Sequence, residues 1–175
     1  MPIAFADGAC NRQDVIVVEA RTFYLLNTDG WSEKQRHEAC RAALTAISGE
    51  AHKYECDIPF SSSPRWPVDV LRAASCLRDA SRKRNRDPAY VQTGVLANDD
   101  PTRWNAFVTF APWALDASVW TRDYENLAAL SDEADSIALE LTTDQHQVIA
   151  AVVGSERLLT KSENDQRRRE TKKRP

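Results

Sequence analysis

Two His/Cys pairs come first among the residues able to do chemistry: His37 with Cys40 and His52 with Cys56, with eleven residues between the pairs. Zinc takes tetrahedral nitrogen and sulfur ligands, and two close pairs at about this separation are how small zinc modules are written. The order of ligands is not that of a standard finger. His37 and Cys40 also continue an apolar helical face through Leu44 and Ile47, so burial accounts for them without metal. No cofactor is therefore favoured, and a zinc-containing protein is kept as an alternative. His52 and Cys56 are also the best pair for a base and a thiol nucleophile, although free cysteine is more often a small buried hydrophobe.

Oxygen ligands for a hard cation are offered by Asp99 with Asp100 and by Asp132, Glu133 and Asp135. Both groups sit where the chain is expected to turn, and turn chemistry accounts for them. Arg78, Arg82 and Arg86 recur every four residues and form a ridge, with Lys83 and Arg84 beside it and Arg72 upstream. Guanidinium groups suit phosphates, and cations at a helix C-terminus also suit the helix dipole. No Walker, dinucleotide or nucleophile-elbow pattern occurs among the five glycines.

Charge is sorted along the chain, although the totals nearly balance at 23 Lys+Arg against 26 Asp+Glu. Residues 65–86 hold seven cations and two anions; residues 116–144 hold eight anions and one cation. Residues 161–175 hold seven cations and three anions. Such sorting creates a field that can select partners.

The elements that must position these groups follow from periodicity. Val15–Val18 and Phe23–Leu26 are apolar runs suited to strands. Ser32 and Gln35 form a capping box that opens a helix running to about Ser48. Residues 57–67 read as a loop, and a second helix is expected from Val68 to about Asn85. Two strands are expected over residues 90–97 and 104–110, with a short one at Val119–Thr121. Asp123 could cap a short helix over residues 124–130, Ser136–Leu141 alternates as a strand, and a last helix ends before Gly154. Trp66 and Trp113 fall at element ends, and Trp104 reads as core.

This order predicts an α+β fold: a mixed or mainly antiparallel sheet with three to four helices packed mostly on one side. One domain is expected over residues 1–160, followed by a basic tail, residues 161–175, without fixed structure. No run approaches a membrane span, and no signal peptide is expected, so a cytoplasmic location is the default. The expected function is non-enzymatic binding of a protein partner through a charge-polarised surface. Its contact residues would be Arg72, Arg78, Arg82, Lys83, Arg84, Arg86, Asp132, Glu133 and Asp135. The main alternative is nucleic-acid binding through the helix over residues 72–86 and the basic tail.

Overall fold

The computed structural model describes residues 19–81, 87 and 89–170, with the backbone continuing through Lys172. Eight strands form one antiparallel sheet: β1 (Thr22–Leu26), β2 (Lys53–Ile58), β3 (Val91–Gln92), β4 (Leu96–Ala97), β5 (Asp116–Trp120), β6 (Asn126–Ser131), β7 (Ser136–Leu141) and β8 (Leu158–Thr160). Their order is β3-β2-β5-β6-β7-β1-β8, with β4 also on β2. Five α-helices lie within the described residues: α1 (Glu33–Ala46), α2 (Val68–Ala80), α3 (Pro101–Phe110), α4 (Thr143–Val153) and α5 (Lys161–Lys172). The expected α+β class is the one observed, with one helix more than expected because α5 lies in the tail. No helix among the described residues is long and apolar enough to cross a membrane.

Alternation of side chains gives the sheet two unlike faces. Tyr54, Cys56 and Ile58 of β2, Ala117 and Val119 of β5, and Ile137, Leu139 and Leu141 of β7 are buried on one face. Tyr54 meets the rings of Trp104 and Phe107 on α3, and Tyr24 meets His146 on α4. Helix α2 packs on α3, and α1 packs on α3 and α4, completing a single core.

Local chemistry explains several element boundaries. Ser32 and Gln35 exchange the expected capping-box hydrogen bonds at α1. Thr142 caps α4 in the same way, exchanging bonds with Gln145, and Gly154 closes that helix at φ 90°. Helix α2 ends at Ala80, short of the expected Asn85; residues 82–86 lie outside the described residues, as does the apolar run Val15–Val18.

Three expectations are overturned. The strand expected over residues 104–110 is α3. Asp100 caps it through bonds from the Thr102 and Arg103 amides, Pro101 starts it, and Trp104, Phe107 and Phe110 face the core. The helix expected over residues 124–130 is instead β6, which bulges at Leu127 between β5 and β7 and buries both Leu127 and Ala128. The tail is helical through Lys172: Thr160 and Glu163 cap α5, and Glu163 is held below the usual carboxylate range by the Thr160 hydroxyl and amide.

The edge beside β2 shows how a missing ladder is replaced. Strands β3 and β4 are separated by a register slip at residues 93–95, with Gly94 at φ 64°. The buried Thr93 hydroxyl accepts from the Cys56 amide at 3.0 Å, and the Thr93 amide donates to the Cys56 carbonyl at 3.1 Å. Backbone groups that the slip would strand are thereby satisfied.

Candidate functional site

The sequence candidates for metal or thiol chemistry are scattered. Cys40 is fully buried on α1, and burial pushes its thiol up to about 12. Cys56 is buried on β2, and burial raises its thiol further. A nucleophilic cysteine needs the opposite shift. His37 is buried against Trp113, with ring centroids 4.5 Å apart, while His52 is exposed ahead of β2. Among the described residues, no three His, Cys, Asp or Glu side chains gather as a metal site. Asp99 and Asp100 are occupied instead by Arg103, at 3.2 and 2.8 Å.

The partner-binding candidates divide. Arg72 is exposed on α2. Arg78 pairs with Asp79 at 3.0 Å and lies over the Phe60 ring at 5.4 Å. Arg82, Lys83, Arg84 and Arg86 lie outside the described residues. Asp132, Glu133 and Asp135 form the β6–β7 turn, where Asp132, Glu133 and Ala134 are all left-handed, with φ of 54°, 55° and 61°. Glu133 pairs with Arg65 at 3.0 Å, and Asp135 lies 3.9 Å from Arg36. At this corner the basic and acidic stretches of the sequence bind each other.

A different surface emerges from strand register, one that the sequence reading missed. Across the face opposite the helices runs the row Glu55, Ser118, Ala129, Ala138, Leu25 and Leu159, each paired with the next. Phe23, 40% exposed, pairs with Glu140 beside this row, and Trp120 pairs with Lys53. Asp57, Gln92 and Asp116 sit at the β2–β5 end. Tyr90 donates to Asp57; burial and that carboxylate push its hydroxyl up to about 12. Ser131 donates to Asp116 at 2.9 Å. Helices α1 to α4 share the core on the other face, and α5 lies against β1 and β8, the strands of Leu25 and Leu159. Ala129 and Ala138, at the centre of the row, remain half-exposed among the described residues.

Beside that face, a groove of about 710 Å³ runs between α5 and the turn after β1. Trp31, Arg36, Arg167, Arg168, Asp29 and Asp135 contribute to its walls. Arg167 pairs with Asp29 at 3.2 Å, and Arg157 covers Trp31 at 5.1 Å.

This geometry defines an α+β protein whose sheet, among the described residues, carries α1 to α4 on one face and a half-exposed apolar row on the other. Compared with known proteins, the chain matches no family model, no curated protein and no solved structure.

Proposed function

We propose that the chain is a non-enzymatic binding protein that presents the sheet face opposite α1 to α4 to a protein partner. The observation that carries this reading is the paired row Ala129–Ala138–Leu25–Leu159, an apolar strip left half exposed on a sheet whose other face is fully used. Apolar surface rimmed by polar residues marks interaction sites. The buried, raised thiols of Cys40 and Cys56 support binding over thiol catalysis. The test is retention of partners by the tagged protein from nuclease-treated cell extract. Ala138→Glu should lose partners that Val148→Glu, on the exposed outer side of α4, retains. Equal retention by the two variants overturns the reading.

A second reading, binding of nucleic acid through the basic tail, is favoured by one observation. Helix α5 is polar on all sides and exposes Arg168 and Arg169 beside the groove that contains Trp31. Its signature is affinity that falls steeply with salt and with Arg168→Glu.

A further inference from the structure

The chemistry of the partner is written in the charges of the open face, an inference that rests on the surface reading above. The paired strands place five ionisable side chains there: Glu55, Asp57, Asp116, Glu140 and Lys53. Lys53 is already engaged. Its ammonium donates to the Arg122 carbonyl and lies 3.3 Å from the Tyr124 ring centroid. None of the four carboxylates forms an ion pair with a cation among the described residues. Acids at the end of the sheet behave differently, since Asp29, Glu133 and Asp135 each face an arginine. Among the described residues, Asp29, Glu133 and Asp135 at the sheet end are paired with arginine, whereas Glu55, Asp57, Asp116 and Glu140 are not.

We infer that the open face docks a basic protein surface: apolar side chains on the row Ala129–Ala138–Leu25, flanked by lysine or arginine reaching Glu55, Asp57, Asp116 and Glu140. Charge complementarity selects this occupant over others. A second copy stacked face to face would set these carboxylates against acidic residues of the same face. Helix α5 carries arginines but has no apolar side to cover the row. Nucleic acid would meet four carboxylates that have no cation beside them among the described residues.

The experiment uses the full chain, isotope-labelled, and two synthetic peptides of alternating Leu and Lys or alternating Leu and Glu. Backbone amide shifts locate binding, and a third titration uses a single-stranded oligothymidine. The inference expects the Lys peptide to perturb β5, β6, β7 and β1. It also expects at least tenfold weaker binding to the triple variant Glu55→Gln, Asp116→Asn, Glu140→Gln. Those amides keep the size of the acids they replace, and unchanged shifts at α1 to α4 verify folding. Equal binding of both peptides on this face keeps the contact surface and overturns its basic selectivity. Oligothymidine binding on this face overturns the inferred partner as well. Lys-peptide shifts confined to the helical side overturn the inference and the surface reading together.

Discussion

Arg65 places a guanidinium nitrogen 3.0 Å from Oε1 of Glu133 and so joins the most basic stretch of the chain to the most acidic. Sequence separation of charge is here cancelled by folding. Arg65 is 65% exposed, so the pair is well solvated. Exposed pairs contribute at most about 1 kcal/mol. A double-mutant cycle with Arg65→Ala and Glu133→Ala should give a coupling below about 1 kcal/mol and smaller still in high salt. A larger, salt-insensitive coupling would mean that the corner is held chiefly by this contact.

The turn carrying Glu133 is held mainly by backbone. The Asp132 and Glu133 amides donate to Leu115 and Ala114 at 2.8 and 3.0 Å, which fixes three consecutive left-handed residues. Left-handed φ costs L-residues about 1–2 kcal/mol each. Ala134 is fully buried, so a larger side chain adds crowding. Ala134→Gly should leave the melting temperature unchanged or raised, whereas Ala134→Val should cost at least about 2 kcal/mol. Equal losses in denaturant melts of both variants would refute strain at this turn.

Thr93 tests the slipped edge. Its hydroxyl serves the Cys56 amide and can donate to the Cys56 or Gly94 carbonyl. Thr93→Val keeps the shape and strands buried polar groups, a loss of about 1–3 kcal/mol. Thr93→Ser should retain most of the stability. Chemical denaturation distinguishes these outcomes, and an undisturbed Thr93→Val protein would show that the hydroxyl is dispensable.

Acid should weaken the fold through His37. Burial lowers its pKa from the ordinary 6.5; Glu33, partly offsetting this, and Glu133 favour the charged ring, while Arg36 and Arg41 oppose it. The unfolded chain therefore takes up the proton more readily. The contribution is fully present above pH 6.5 and is lost as pH falls from there through the lowered folded value. The denaturation midpoint should decline over that window, less steeply in His37→Gln. Identical pH profiles for the two proteins would assign the decline to other groups.

Thiol labelling provides a test of the core. Cys40 and Cys56 are buried and protonated at neutral pH, whereas Cys76 is half-buried on α2. With products mapped by peptide mass, iodoacetamide should modify Cys76 in the native protein and reach Cys40 and Cys56 only on unfolding. Native modification of Cys56 at a rate matching Cys76 would place that thiol outside the core.

Local signals determined much of the secondary structure. The Ser32–Gln35 box, the alternation Ile137, Leu139, Leu141 and the stop at Gly154 specify α1, β7 and the end of α4, because caps and alternation act within a few residues. The alternation Tyr54, Cys56, Ile58 is a legible local signal for β2. Trp104, Ala106, Val108 and Phe110 alternate as a strand would, yet the Asp100 cap and the spacing Trp104–Phe107–Phe110 make a helix. The Thr160–Glu163 cap was equally readable and announces α5 within a segment whose polarity suggested no structure.

The sequence by itself thus determined fold class, several caps and the linear sorting of charge. Only tertiary structure decided which charges survive. Strand register, fixed by burial of one sheet face, brings Glu55, Asp116 and Glu140 onto the other face from three separate strands. The turn geometry at Glu133 and Asp135 carries their charges to Arg65 and Arg36. Contacts between residues 68 and 99 positions apart leave no mark on local periodicity, so the grouping of Glu55, Asp116 and Glu140 and the pairing of Glu133 and Asp135 exist only once the sheet is assembled.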